Sequence, residues 1–242
     1  MIWVNFKSYK QTFGQGALNL AKICQKISQE TKVKIIPVVS SLNLVLIKKE
    51  IKSDVWLQHL DLYFEGSKTG YLSPLAAIMA GADGALLNHS EQEIAPGKVR
   101  QILAYLRKPT WQEKWLKEVD GLTKEKLNKF QIMVCFKTKG QLEKWVKKLK
   151  PRPDFLGYEV PELIGSQTSI AQEKPKAIER IVKESPEYRI VVGAGIHQKD
   201  DVQTSLQLGA KGILVSSDVV KAKDPEKELK ELALAFKNET KK

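Results

Sequence analysis

Residues Ile190 to Ser217 read IVVGAGIHQKDDVQTSLQLGAKGILVSS. A short β-branched run, Ile190 to Val192, opens the stretch, and a second, Gly212 to Val215, comes near its end, with a longer segment of mixed polarity between them. Strand, helix-length segment and strand make the smallest βαβ unit. Both runs are apolar at consecutive positions, so both of their faces are covered, as in a parallel sheet flanked by helices. Each run also ends on small residues: Gly193, Ala194, Gly195 and Ile196 after the first, Ser216 and Ser217 after the second.

The same rhythm extends back to the start of the chain. Further runs stand at Ile2 to Val4, Val33 to Val38, Val55 to Gln58, Gly84 to Leu87, Ile132 to Cys135 and Asp154 to Gly157, making eight strand candidates in all. Each precedes a segment with helical apolar spacing, such as Leu18, Ile23 and Ile27, or Val99, Ile102, Leu103 and Leu106. Eight βα units in 242 residues suit a closed barrel better than an open doubly wound sheet. The expected fold is therefore α/β, an eight-stranded parallel (β/α)8 barrel, with residues 1–242 as a single domain. Lys108 to Lys129 breaks the rhythm between the fourth helix and the fifth strand. It contains Pro109, Trp111, Trp115 and Gly121 and is expected to be an inserted helical element whose tryptophans pack it onto the barrel.

Composition narrows the classes. The two cysteines, Cys24 and Cys135, lie in different segments without ligand-like neighbours, so neither a disulfide framework nor a zinc site is indicated, and a reducing, cytoplasmic setting fits best. The first ten residues lack a signal peptide's apolar stretch, and no segment approaches the roughly 20 apolar residues of a membrane span. The formal charge of +12 favours anionic partners. Eight of those excess charges fall between Arg107 and Lys150. Without interleaved aromatics of an RNA-binding kind, that stretch is expected to be a solvated basic face and not a nucleic-acid site.

In barrels of this kind the chemistry sits where strands pass into loops. The first strand runs into Asn5, Phe6 and Lys7, the fourth into Asn88, His89, Ser90 and Glu91, and the sixth into Tyr158, Glu159, Val160, Pro161, Glu162, Leu163, Ile164 and Gly165. Small residues after the seventh and eighth strands suit a phosphate, while a cation, an imidazole and a carboxylate come from the other ends. Together with Val219 to Pro225 and the Gln58 to Gly70 segment, these motifs resemble those of the triosephosphate isomerase family, in its shorter archaeal-type branch. The likeness spans nearly the whole chain apart from the insert.

That resemblance implies a TIM barrel that interconverts dihydroxyacetone phosphate and D-glyceraldehyde 3-phosphate through an enediolate, with no cofactor and no metal. It casts Glu159 as the base, His89 as the electrophile and Lys7 as the fixed cation. Asn5 and Lys7 would orient substrate, with Ile164, Gly165, Gly195, Ser216 and Ser217 at the phosphate. Ser90 and Glu91 would start a helix that lowers the pKa of His89. Residues 160–169 would form a lid, in which Val160 stands where the family has proline and Gln167 where it has glycine. Asp218 replaces a small residue beside the phosphate, as a helix N-cap or solvated acid in preference to a repulsive contact with the dianion, and His197 is expected to face solvent. A homodimer or homotetramer would form through the loop around Glu65 to Ser73, with no membrane partner. Two alternatives stay open: another phosphate-binding barrel enzyme, and a degenerate barrel serving as a nucleic-acid or protein scaffold.

Overall fold

Each of the eight apolar runs forms a strand, and the strands pair in parallel in chain order around a closed barrel. The computed structural model describes residues 1–163, 168–193 and 195–236. The strands are β1 (Ile2–Asn5), β2 (Ile35–Val39), β3 (Trp56–Leu57), β4 (Gly84–Leu87), β5 (Gln131–Phe136), β6 (Phe155–Tyr158), β7 (Ile190–Gly193) and β8 (Gly212–Val215). Closure comes from β1 against β8, in the register Ile2↔Ile213, Trp3↔Leu214 and Val4↔Val215. The expected bounds shift at the ends. β3 shrinks to two residues because only Val38↔Trp56 and Val39↔Leu57 pair with β2.

The helices between and around the strands are α1 (Gln15–Thr31), α2 (Ser41–Glu50), α3 (Pro74–Met79), α4 (Pro96–Arg107), α5 (Pro109–Glu118), α6 (Lys124–Lys129), α7 (Lys139–Lys144), α8 (Ile170–Glu173), α9 (Pro175–Lys183), α10 (Lys199–Gln207), α11 (Ser217–Val220) and α12 (Pro225–Leu234). Among the described residues, none is long and apolar enough to cross a membrane. Alternate strand residues divide the core, as a two-residue period requires. One set, including Ile2, Val4, Ile35, Leu57, Val134 and Ile213, packs with the helices. The other, including Trp3, Ile36, Trp56, Met133, Phe155 and Leu214, forms a cluster of its own. Within that cluster Trp3 meets Phe155 and Trp56 edge-on at 4.8 and 5.6 Å between ring centroids, the arrangement that aromatic quadrupoles favour.

The insert is two helices, α5 and α6, where the sequence suggests one element. Proline at the first position of α5 suits the start of a helix, and Gly121, at a φ of +72°, turns the chain before α6. Trp115 is 2% exposed and stacks on Phe64 at 5.8 Å and on Trp111 at 5.6 Å. Lys114 adds an ion pair to Glu65 at 2.7 Å. The insert thus packs against the loop after β3. Replacing Trp115 by alanine leaves a cavity at this joint and is expected to cost about 3–5 kcal/mol, read as a fall in the urea midpoint.

Candidate functional site

Three strand ends bring Lys7, His89 and Glu159 to one cavity, lined also by Asn5, Gly195, Ile196, Leu214, Val215, Ser216, Ser217 and Asp218. Sequence reasoning placed seven of these residues at a site, and the structure gathers Asn5, Lys7, His89, Glu159, Gly195, Ser216 and Ser217 around it. Ile164, Gly165 and Gln167 lie outside the described residues, as does the tail from Asn238 to Lys242.

Lys7 takes a left-handed backbone, φ +48°, just past β1. Its N–H donates to Asn5 Oδ1 at 3.1 Å, and its ammonium pairs with Glu91 Oε1 at 2.5 Å. Gln58, which the sequence does not single out for this role, holds the turn in place. Its Nε2 donates to Lys7 O at 3.1 Å and to Asn5 Oδ1 at 3.3 Å. The available signal was its position just past β3, shared with the recognised strand-end residues.

The segment after β4 corrects one expectation. Ser90 and Glu91 do not begin a helix: the chain turns there, and α4 starts only at Pro96. Asn88 decides this. At a φ of +60° it donates through Nδ2 to Cys135 O at 2.8 Å and accepts from Ile94 N–H at 2.9 Å, which ties the loop into a non-helical course. Glu91 instead serves Lys7, and its backbone N–H donates to His89 Nδ1 at 3.2 Å. With that lone pair engaged, a neutral His89 carries its proton on Nε2. Ser90 Oγ is buried with no partner among the described residues.

His89 Nε2 faces Glu159 Oε1 at 3.2 Å, and both side chains are almost fully buried. Burial is the largest influence on His89 and acts to lower its pKa. The hydrogen bond and charge of Glu159, helped by Glu91 and opposed by Lys7, outweigh it, so the net shift is upward. This direction is opposite to the one a helix N-terminus would give. Beside the pair, burial and the Glu159 charge push the Cys135 thiol well above its ordinary range, so Cys135 packs as a neutral group and is no nucleophile. Glu159 Oε2 and Ser216 Oγ are buried without a partner among the described residues, and both residues line the cavity. Unpaired polar atoms on a cavity wall suit a polar ligand.

The glycine that ends β7 and the one two residues beyond it each make room for a neighbouring group. A Cβ on Gly193 would lie 2.9 Å from Glu159 Cγ, and one on Gly195, whose φ is +64°, would lie 2.4 Å from Thr168 O. Asp201, 1% exposed and missed by the sequence reading, joins this loop to the end of the lid segment. It accepts from Ser169 Oγ at 2.6 Å and from the backbone N–H groups of His197 and Gln198 at 3.0 and 3.1 Å.

Asp218 and His197 also depart from expectation. Ser216, not Asp218, is the N-cap of α11. Asp218 accepts from His197 Nδ1 at 2.7 Å, and both side chains are mostly covered. The two loops converge in space, so residues 21 apart in sequence pair with each other while each side chain stays partly exposed.

Comparison with known proteins adds an independent line. The family model for triosephosphate isomerase matches residues 1–233. The triosephosphate isomerases of Methanothermus fervidus and Archaeoglobus fulgidus are each 34% identical to the chain over 236 residues, which cover 96% of either protein. That of Saccharolobus solfataricus is 33% identical over 230 residues, 94% of this chain and 92% of its own.

The His89–Glu159 contact gives a pH signature. A histidine whose pKa is raised by folding contributes stability that is fully present below its unfolded value of 6.5 and is lost as pH rises through the folded value. Glu159→Gln removes the carboxylate that does most to hold the pKa up and leaves only Glu91, so the His89 resonance in an NMR titration is expected to move to lower pH, and the fall in stability is expected to shrink.

Proposed function

This chain belongs to the triosephosphate isomerase family, and on that premise we propose that it interconverts dihydroxyacetone phosphate and D-glyceraldehyde 3-phosphate, with Glu159 as base, His89 as electrophile and Lys7 as fixed cation. It is an isomerase by family. The observation that carries the assignment of roles is the meeting of these three side chains, from β1, β4 and β6, in a cavity whose other wall is made by Gly195, Ser216 and Ser217.

The chemistry follows from the geometry. Glu159 takes a proton from the substrate carbon, the electron pair forms the enediolate double bond, and charge moves to the carbonyl oxygen. His89, with its proton on Nε2, donates a hydrogen bond to that oxygen, and the Lys7 ammonium stabilises the developing charge. His89 then gives its Nε2 proton to that oxygen and takes the proton of the neighbouring hydroxyl, so the charge passes to the second oxygen; Glu159 returns its proton to the neighbouring carbon as the second oxygen's electron pair forms the new carbonyl. No substrate carbon fits between His89 and Glu159 while they are 3.2 Å apart, so substrate binding replaces that contact and frees the carboxylate. Burial of Glu159, at 4% exposure, keeps water from competing for the proton. The phosphate rests at Gly195, Ser216 and Ser217; Ile164 and Gly165, the further phosphate residues that the family resemblance names, lie outside the described residues. Val160, 3% exposed, starts the lid from a packed position without proline's restraint.

We also read residues 1–242 as one folding unit that assembles through the loop around Glu65 to Ser73. Leu42, Val45 and Leu46 lie on one helical face of α2 and are all exposed, Leu42 at 91%, and Phe13 is exposed at 62%. Such an apolar surface suits burial against a second copy. In the basic stretch from Arg107 to Lys150, Lys114, Lys129, Lys137, Lys139 and Lys147 each pair with a glutamate, which favours reading it as a solvated basic face.

In a coupled assay on glyceraldehyde 3-phosphate, Glu159→Gln is expected to lower kcat by about 10²–10⁴-fold; turnover equal to wild type would overturn the role of Glu159. Leu42→Asp is expected to shift the sedimentation coefficient from that of an oligomer towards that of a monomer.

A further inference from the structure

Asp218 places a carboxylate on the wall of a cavity that, by the reading above, must receive a phosphate dianion. It lines that cavity together with Ser216 and Ser217. It also lines a second depression on its other side, with His197, Lys223, Asp224, Lys227, Glu228 and Glu231. Asp218 is therefore a partition between the two, whereas His197 belongs only to the outer one. Left to itself, the carboxylate could turn inward, where it would repel the dianion at short range.

We propose that His197 is a positioning residue that holds the Asp218 carboxylate out of the phosphate cradle. A carboxylate oxygen only accepts, so Nδ1 carries the proton in the 2.7 Å contact with Asp218 Oδ1. Nε2 is buried with no partner among the described residues, as suits an imidazole that keeps its proton on Nδ1. Ser217 Oγ, itself on the cradle wall, donates to the other carboxylate oxygen at 3.3 Å, a longer contact on the ligand side, so the 2.7 Å bond to His197 is the one that draws the carboxylate outward. The imidazole itself is anchored, because its backbone N–H is bound by the buried Asp201 carboxylate. The charged groups around the outer depression are mostly acidic: Asp224, Glu228 and Glu231 against Lys223 and Lys227. They offer the Asp218 carboxylate no net attraction outward, so the histidine hydrogen bond is the restraint that sets its direction.

The inference rests on the isomerase reading for its ligand, but its test does not need turnover. Wild type, His197→Ala, Asp218→Asn and the double variant are titrated with inorganic phosphate by calorimetry and assayed for KM and kcat. His197→Ala is expected to weaken phosphate binding and raise KM about tenfold, with kcat within about twofold. In the Asp218→Asn background the same replacement is expected to change binding by less than about twofold, because the repelling charge is gone. Asp218→Asn alone is expected to bind phosphate at least as tightly as wild type. Coupling below about threefold between the two replacements overturns the inference, as does weaker phosphate binding by Asp218→Asn alone or the absence of phosphate binding by wild type. If wild type binds phosphate with the expected coupling but does not isomerise the triose phosphates, the isomerase reading falls and the role of His197 stands.

Discussion

The hydrogen-bonded seam between β1 and β8 is the constraint on which the rest of the architecture depends. While Ile2, Trp3 and Val4 stay in register with Ile213, Leu214 and Val215, the sheet has no edge and all eight strands run the same way around one axis. Parallel strands then deliver the loops that follow them to one rim. Residues as distant in sequence as Lys7, His89, Glu159 and Ser216 become neighbours for that reason. Trp3 contributes twice, pairing with Leu214 in the seam and filling the space beside Phe155 and Trp56.

On that rim the charged groups form a connected set. Glu91 holds Lys7 by its carboxylate and His89 by its backbone N–H, and His89 in turn faces Glu159. Gln58 and Asn88 fix the turns that carry Lys7 and His89. Each catalytic candidate is therefore oriented by a neighbour from a different strand end, and a shift in one loop is transmitted to the others. The left-handed conformations of Lys7 and Asn88 are uncommon for non-glycine residues, and both are held by hydrogen bonds, Lys7 O from Gln58 after β3 and Asn88 Nδ2 to Cys135 O in β5.

A second layer surrounds the end of the cavity lined by Gly195, Ser216 and Ser217. Asp201 joins the end of the lid segment to the loop after β7, and Gly195 lets the two backbones touch. Its neighbour His197 reaches across to Asp218 on the loop after β8. The insert plays a comparable part on the opposite side, where Trp115 and Lys114 brace Phe64 and Glu65 in the loop after β3.

The barrel was legible in the sequence because its cause is local: strands covered on both faces are apolar at consecutive positions, and helices announce themselves by spacing. The strand-end residues were legible for the same reason, since a polar residue directly after an apolar run has only the rim to occupy. By itself the sequence thus determined the eight-unit architecture, the family and the candidates Lys7, His89 and Glu159. The break of the insert into two helices, the turn at Ser90 and Glu91, the upward shift of His89, the support from Gln58 and Asp201 and the pairing of His197 with Asp218 were decided only by the tertiary structure. Each depends on a distance between segments far apart in the chain, or on a competition between local helix formation and a hydrogen bond to another strand. Neither quantity exists until the barrel has closed.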